Sequence, residues 1–343
     1  MATDYILFIH GVNNREVRER PEYADRFFTL IQESNSDRKR DLKKVALYWG
    51  DVNKDAEAKL LAQLQTSPLW QQLWFRTFRE RQLLQFVGDA ALYISSYVGS
   101  KVINVLKTQA LQEIKNPQPG DRLHLVTHSW GTVILFDILF AGRWDEPKIP
   151  GHDDVMAIRD VIFGISGNDP NPLQGIQLGS IHTMGSPIAI FSLTDVTPGK
   201  DDTGGTSAAS SGHDITPKLQ ELLEHLHQAR QGEKLPWRNF VHPGDPVAYP
   251  LNELMTSLVD GDKQYLDIED VITHDAGLFD YLTEPFSQTA LALLHGGDAH
   301  GSYWHSEKVV QEISSAMKRG VTKLNNDLGS GRGAVFPSSK GVL

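Results

Sequence analysis

The chain has 343 residues, a formal net charge of −10 at pH 7 and no cysteine. The lack of cysteine excludes disulfides, zinc–thiolate sites and thiol nucleophiles. The acidic balance, without a basic stripe interleaved with aromatic residues, argues against nucleic acid as a partner. The longest uncharged stretch, residues 170–194, contains three prolines. It therefore does not predict a membrane span, which needs about 20 predominantly apolar residues.

The length of the chain and the composition of its terminal segments predict its domain organisation. Large α/β folds often reach this length as one unit, so residues 1–328 are predicted to form a single domain. After Leu328 the chain reads Gly-Ser-Gly-Arg-Gly, which predicts a disordered tail over 329–343. The residues after Met1 lead directly into a strand pattern, without a basic segment or an apolar signal core, and we expect a cytoplasmic protein.

Short apolar runs alternate with helical patterns along the chain. Five runs predict strands, at residues 5–9, 45–49, 123–127, 181–185 and 237–242. Helical patterns cover residues 21–31, about 55–115, 130–140, 155–163 and 215–231, and a last one follows Trp304. This alternation predicts a mostly parallel sheet covered by helices on both faces. Ligands bind such sheets at the carboxyl ends of the strands, where we expect His10, Ser129, Gly185 and Asp245 to lie.

An apolar run from Leu123 to Leu135 is interrupted at Ser129 and continues as a helical pattern. This pattern is typical of a nucleophile elbow, a tight strand-to-helix turn that exposes a serine hydroxyl. The turn needs small residues two positions before and after the serine, and Thr127 and Gly131 occupy them. Thr127 stands where glycine is usual. The alternative is that Ser129 only caps a helix, a position that serine favours.

A second serine, Ser186, also follows a predicted strand, within Gly185-Ser186-Pro187. An elbow uses the backbone N–H of the residue after the serine to bind an oxyanion. Proline has no N–H. Ser129 is therefore the better candidate nucleophile.

A serine nucleophile needs a histidine base and an acid that orients it, and Ser129, Asp245 and His300 have the nucleophile–acid–histidine order of one known arrangement. His300 precedes an aromatic pair that opens the last helix, and it is expected in a loop that reaches the serine. Asp245 lies in a Pro-Gly-Asp-Pro turn, and turn chemistry alone could explain it. Other candidates remain for the base and for the acid: His242, His274, His295 and His305, and Asp275 and Asp298.

Five motifs follow one another along the chain: Ile9-His10-Gly11-Val12, Thr127-His128-Ser129-Trp130-Gly131, Thr183-Met184-Gly185-Ser186-Pro187, Gly244-Asp245-Pro246-Val247 and His300-Gly301-Ser302-Tyr303-Trp304. In this order, from residue 5 to about residue 318, they resemble a lipase-like serine esterase of the α/β-hydrolase superfamily. The resemblance implies Ser129 as nucleophile, Asp245 as acid and His300 as base. It also implies an oxyanion hole formed by the backbone N–H groups of Val12 and Trp130.

The resemblance implies hydrolysis of a carboxylic ester through an acyl-enzyme, with no cofactor. The 13 histidines show no H-E-x-x-H or similar ligand spacing, so no metal site is expected. Two alternatives remain. The same triad could serve a thioesterase, an amidase or an acyltransferase, or the chain could be a non-catalytic member of the fold that binds a lipid or a protein. The sequence does not predict an oligomeric state.

The helical stretch at about 55–115 exceeds what one crossover helix requires, and it is rich in aromatic residues. We expect it to form a cap-like insert. Its aromatic side chains either pack the insert onto the body or form an apolar wall that favours a hydrophobic acyl group. Peripheral contact with a membrane through Trp70, Leu73 and Trp74 is a further possibility, although Arg76, Arg79, Glu80 and Arg81 suit a solvated face. Its aromatic residues include Trp70, Trp74, Phe75, Phe78, Phe86, Tyr93 and Tyr97.

Overall fold

The structure is a computed structural model. It describes residues 2–12, 14, 21–35, 40–74, 76, 80, 93, 96–162, 171, 174–191, 214–273 and 299–319. The predicted tail, 329–343, lies outside the described residues. The single-domain organisation of residues 1–328 stays a prediction.

The centre of the molecule is a six-stranded parallel sheet with the strand order β2-β1-β3-β4-β5-β6. The five predicted strands are confirmed, with β2 beginning and ending earlier than the sequence indicated. The sixth strand was missed. Its sequence, Leu-Asp-Ile-Glu-Asp-Val-Ile, carries three acidic residues, as suits a strand at the edge of a sheet. The strands are β1 (Thr3–Ile9), β2 (Asp41–Leu47), β3 (Arg122–His128), β4 (Gln177–Met184), β5 (Leu235–Val241) and β6 (Leu266–Ile272).

Helices connect the strands, and the predicted helical patterns match most of them within a few residues. The α-helices are α1 (Asp25–Ser34), α2 (Lys54–Gln65), α3 (Ser96–Glu113), α4 (Trp130–Phe140), α5 (His152–Val161), α6 (Ile188–Phe191), α7 (Thr216–Ala229), α8 (Asn252–Val259) and α9 (Glu307–Arg319). Short 3₁₀ helices cover Trp70–Gln72, Gly142–Asp145 and Ser302–His305. Helix α8 was not predicted.

The sheet buries apolar side chains on both faces, because successive residues of a strand point to opposite sides. In β1, Leu7 belongs to a core shared with α3, α4, α5, α7 and α8. Its neighbour Phe8 belongs to a second core shared with α1 and α9. All eleven residues of α4 are buried, which is expected of a helix that is apolar all round. Both faces of the sheet are therefore covered by helices.

The predicted helical insert is interrupted. Helix α2 ends at Gln65, and α3 packs into the larger core through Val102, Ile103 and Leu106. Helix α3 is thus part of the body, as the crossover that leads into β3. Most residues between Trp74 and α3, among them Phe75, Phe78 and Phe86, lie outside the described part of the chain, and the role of the insert as a cap stays a prediction.

The chain reverses direction across the sheet after β2, because β3 returns to the other side of β1. The carboxyl ends of adjacent strands at such a reversal form a crevice in which ligands bind. The all-parallel sheet, the helices on both faces and the position of α4 directly after β3 make this an α/β-hydrolase-like fold. Within the described residues, no helix combines the length and the apolar character needed to cross a membrane.

Candidate active site

Ser129 occupies the turn between β3 and α4. Its backbone has φ 55° and ψ −133°, a conformation that costs energy in any residue other than glycine and that clusters at functional sites. Its N–H donates a hydrogen bond to the carbonyl of Met184 at 2.9 Å, and its own carbonyl accepts one from the N–H of Thr132 at 3.0 Å. Its side chain makes no capping hydrogen bond to α4, so helix capping does not account for the serine.

Close packing around Ser129 requires glycine at two neighbouring positions. A Cβ atom on Gly131 would lie 2.3 Å from the carbonyl oxygen of His10, and one on Gly11 would lie 2.5 Å from the Cβ of Ser129. Both distances are too short for real contacts. Thr127, which replaces the usual glycine, is fully buried, and its hydroxyl lies 2.8 Å from the hydroxyl of Thr132. The turn therefore accommodates this departure from the usual pattern through a side-chain hydrogen bond.

Asp245 and His300 are 55 residues apart in the chain and form a direct hydrogen bond. His300 Nδ1 lies 2.8 Å from Asp245 Oδ2, and the N–H of Val247 donates to Asp245 Oδ1 at 3.1 Å. Burial alone would raise the pKa of Asp245. The hydrogen bond and charge of His300, together with hydrogen bonds from Tyr303 and Val247, outweigh burial and lower this pKa. Asp245 is therefore an ionised acceptor, and His300 Nδ1 carries the hydrogen.

In the neutral imidazole, a hydrogen on Nδ1 leaves Nε2 as the acceptor. The Nε2 atom of His300 and the Oγ atom of Ser129 are both buried, and neither has a hydrogen-bond partner within the described part of the chain. Buried polar atoms are rarely left unsatisfied, and catalytic groups are among the recognised exceptions. The arrangement leaves one basic nitrogen and one hydroxyl available for chemistry.

His128 connects the turn of Ser129 to the segment that carries His300. Its Nε2 lies 2.7 Å from the carbonyl oxygen of His300, and the two rings are 4.6 Å apart. A carbonyl only accepts hydrogen bonds, so Nε2 of His128 donates. Burial, followed by repulsion from the charge of His300, lowers the pKa of His128 to about 3. His128 is therefore neutral at pH 7. Because it directly precedes Ser129, its contacts hold His300 next to the turn that carries the serine.

Gly185 lies where Asp245, His300 and Tyr303 meet. It has φ 55°, and its N–H donates to the carbonyl of Phe240 at 3.1 Å. A Cβ atom at this position would lie 2.6 Å from Asp245 Oδ2 and 3.1 Å from His300 Nδ1. Only glycine fits both the backbone conformation and the space.

The two candidate oxyanion residues lie at the same edge of the sheet. Val12 follows β1 in a turn and is half-buried against the larger core. Trp130 is the first residue of α4, at the positive end of the helix dipole, which favours a negative charge. Their role as an oxyanion hole stays a prediction.

His10, which precedes the Gly11-Val12 turn, is held on several sides. Its ring stacks on Trp49 with centroids 5.5 Å apart and an interplanar angle of 4°. Its Nε2 accepts from the N–H of Trp49 at 3.2 Å, so Nδ1 carries the hydrogen and donates to the carbonyl of Gly11 at 2.5 Å. His10 thereby fixes the turn that leads to Val12.

The alternative candidates are placed as follows. The hydroxyl of Ser186 accepts from the N–H of Ile188 at 3.3 Å, at the start of α6. His305 ends the 3₁₀ helix Ser302–His305 and does not lie within α9. His242 Nδ1 accepts from the N–H of Gly244 at 3.0 Å. His274, His295, Asp275 and Asp298 lie outside the described residues. The expected loop at His300 is instead helical backbone over residues 299–301.

Sequence reasoning missed Tyr303. Its hydroxyl donates to Asp245 Oδ2 at 2.7 Å and accepts from the N–H of His242 at 2.9 Å. What could have indicated Tyr303 is its position, three residues after the candidate base His300. It was interpreted instead as part of an aromatic pair that opens the last helix. Among the described residues, no group of three or more His, Asp or Glu side chains is arranged to hold a metal ion.

The comparisons with known proteins include a distant structural match. No protein-family model and no curated protein matches the chain. A solved structure of Est1E from Butyrivibrio proteoclasticus with bound ferulic acid is 10% identical in sequence and has a TM-score of 0.27. The match covers 85% of this chain and 90% of that chain. The α/β-hydrolase-like fold is recognised from its own sheet and from the strand–turn–helix at Ser129.

Proposed function

We propose that the protein is a serine hydrolase that cleaves carboxylic esters, with Ser129 as nucleophile, His300 as general base and Asp245 as the acid that orients the base. One observation carries the proposal: His300 is hydrogen-bonded to an ionised, buried Asp245, while its Nε2 and the hydroxyl of Ser129, whose backbone is strained, are both buried without a hydrogen-bond partner among the described residues. A Ser-His-Asp triad uses such an Asp–His hydrogen bond together with one from the serine hydroxyl to the histidine Nε2, and we propose that the second bond forms when a substrate binds, since catalytic hydrogen bonds often tighten only then.

In the proposed reaction, Ser129 Oγ attacks the ester carbonyl carbon while its proton passes to His300 Nε2. The N–H groups of Val12 and Trp130 bind the oxyanion of the tetrahedral intermediate. Collapse of this intermediate breaks the bond to the alcohol, which leaves with the proton from His300. A water molecule then repeats the sequence on the acyl-enzyme, releases the carboxylic acid and restores the serine hydroxyl.

A fluorophosphonate probe tests the nucleophile without knowledge of the substrate. Ser129 Oγ should displace fluoride from phosphorus, and peptide mass spectrometry should locate the label at Ser129. Ser129→Ala should abolish labelling and lower ester turnover by several orders of magnitude, as for other triads that act as a unit.

Ser186→Ala is the matched control, because Ser186 is also a buried serine just after a strand. It should be labelled like the wild type. Labelling of Ser129→Ala at the wild-type rate, or no labelling of the folded wild type, would contradict the proposal.

We also propose that the acyl group is hydrophobic and that the substrate is a small-molecule or lipid ester. The segment after β2 leaves the sheet at the edge where Ser129 lies, because Leu47, the last residue of β2, pairs with Ile9 at the carboxyl end of β1. It carries exposed apolar side chains, including Trp74 at 79% and Leu69 at 63% exposure. Trp70, in contrast, is buried.

If the acyl group is hydrophobic, hydrolysis of p-nitrophenyl esters should become faster from acetate to octanoate. A preference for acetate would contradict this proposal.

A thioesterase, amidase or acyltransferase would use the same triad, and the geometry does not favour any of them over ester hydrolysis. Adding a thioester, an amide and an alcohol acceptor to the same substrate series would separate these reactions. A non-catalytic binding protein is the least supported alternative, because each of the three triad positions holds a residue of the required type.

A further inference from the structure

Tyr303 is completely buried and lies in the 3₁₀ helix that follows His300. Its hydroxyl oxygen is 2.9 Å from the backbone nitrogen of His242 and 2.7 Å from Asp245 Oδ2. The backbone N–H can only donate, so the hydroxyl oxygen accepts there. The single hydroxyl hydrogen is then directed at the carboxylate. Burial and the negative charge of Asp245 both raise the pKa of Tyr303, so the hydroxyl keeps that hydrogen.

Within the described part of the chain, three donors hold the carboxylate of Asp245. Oδ1 accepts from the N–H of Val247, and Oδ2 accepts from both His300 Nδ1 and the Tyr303 hydroxyl. The Asp245 side chain has no exposed surface, so the tyrosine hydroxyl donates where water would otherwise do so. A buried carboxylate with a missing donor is costly, and two donors on one oxygen share its negative charge.

We propose that Tyr303 is a positioning residue that orients Asp245 and, through the shared oxygen Oδ2, limits how strongly Asp245 stabilises the protonated form of His300. This inference rests on the proposed function, because it assigns a role in the same triad. Tyr303 makes no hydrogen bond to Ser129 Oγ or to His300 Nε2, the reacting atoms, so it acts through Asp245.

The direction of the effect follows from the groups around the pair. Among the described residues, the titratable neighbours of the pair include His128 at the end of β3, His242 after β5 and Tyr303 itself. Without the tyrosine hydroxyl, His300 would be the one donor to Oδ2 left among the described residues. Oδ2 would then attract the imidazolium more strongly, which raises the pKa of His300.

Tyr303→Phe removes the hydroxyl and keeps the ring. NMR titration of the His300 ring in the resting protein should show its midpoint moved to higher pH than in the wild type, because Oδ2 then attracts the imidazolium more strongly. The pH below which fluorophosphonate labelling of Ser129 becomes slow should also move to a higher value. The highest labelling rate should fall by about 10-fold, because Asp245 is less well oriented.

Tyr93→Phe is the matched control. Tyr93 is also completely buried, and its hydroxyl donates to another buried carboxylate, that of Asp137, at 2.7 Å. This variant should lose stability comparably and leave the His300 titration unchanged. If Tyr303→Phe does not fold, 3-fluorotyrosine at position 303 keeps the shape and strengthens the donor. It should lower the pKa of His300.

The outcomes separate the two proposals. A folded Tyr303→Phe variant, or the fluorotyrosine protein, with the His300 titration of the wild type would overturn the role of Tyr303. The NMR titration needs no turnover and therefore decides this point even if the enzyme is inactive. Failure of the folded wild type to label at Ser129 would overturn the proposed function instead.

Discussion

At the scale of single residues, the candidate site depends on positions where a side chain cannot be added. Gly185 combines a positive φ with contact to both the acid and the base of the proposed triad. A methyl group there would displace Asp245 or His300, while the sheet beneath it is held by the ladders of β4 with β3 and β5. The site is therefore more sensitive to this position than the fold is.

Gly185→Ala should reduce the rate of ester hydrolysis by at least about 100-fold, because misplacing a catalytic group by about 1 Å can have that effect. The loss should appear in kcat, with the fold retained by circular dichroism. Gly261→Ala is the control, because a Cβ atom there meets nothing within 4 Å and its activity should equal that of the wild type. Activity of Gly185→Ala near the wild-type level would show that this close contact does not position the triad.

The sequence was sufficient to propose Ser129, Asp245 and His300 as candidates, because each follows a recognisable strand or precedes a recognisable helix, and the structure joins Asp245 to His300 by a hydrogen bond; their catalytic roles stay a prediction. It was not sufficient to select Tyr303. The hydroxyl of Tyr303 meets a carboxylate 58 residues earlier in the chain, and this contact depends on how the last helical segment is laid across the ends of β4 and β5. Pairings of this kind are set by tertiary structure and leave no local pattern.

At the scale of elements, the amino ends of β1 and β3 are joined by a buried ion pair, opposite the edge that carries Ser129. Arg122 donates two hydrogen bonds to Asp4, at 2.8 and 2.7 Å, and Arg40 donates a third at 2.8 Å. Burial alone would raise the pKa of Asp4. Hydrogen bonds from His124 and Arg122 outweigh it and hold the pKa below the usual value of 3.8.

Asp4→Asn should lower the free energy of unfolding at pH 7 by about 3 kcal/mol, since it leaves the charge of Arg122 buried without its partner. A carboxylate whose pKa is lowered by folding stabilises the protein above its unfolded pKa, and this contribution is lost as the pH falls through the folded pKa. The wild type and the variant should therefore differ less in free energy of unfolding below pH 3.8 than at pH 7. Urea unfolding at pH 7 and at pH 3 measures this difference.

Asp25→Asn is the control for this prediction. Asp25 pairs with Lys44 on the surface, where the two side chains are 52% and 28% exposed, and exposed pairs contribute about 0.5 kcal/mol or less. An equal effect of the two substitutions at pH 7 would contradict the assigned role of Asp4.

The elements themselves were predictable to different degrees. Three of the five strands that the sequence indicated, at residues 5–9, 45–49 and 123–127, are nearly continuous apolar runs, as buried parallel strands are. Strand β6 alternates apolar and acidic residues at the sheet edge, and the run was too polar to be recognised. The continuous helical pattern at about 55–115 was overextended, because helical periodicity does not show where a chain turns between α2 and α3.

At the scale of the whole molecule, the proposed triad combines parts of the chain that are made at different times. The six strands of the described sheet end at Ile272, and Ser129 and Asp245 both belong to that portion. His300 and Tyr303 belong to the segment after residue 298, and the helix that follows them, α9, packs against α1 and against the sheet. A nascent chain that has emerged as far as Ile272 thus carries the nucleophile and the acid but not the base. In the proposed triad, Ser129 would therefore lack its base during synthesis until the segment that carries His300 and leads into α9 has docked on the sheet.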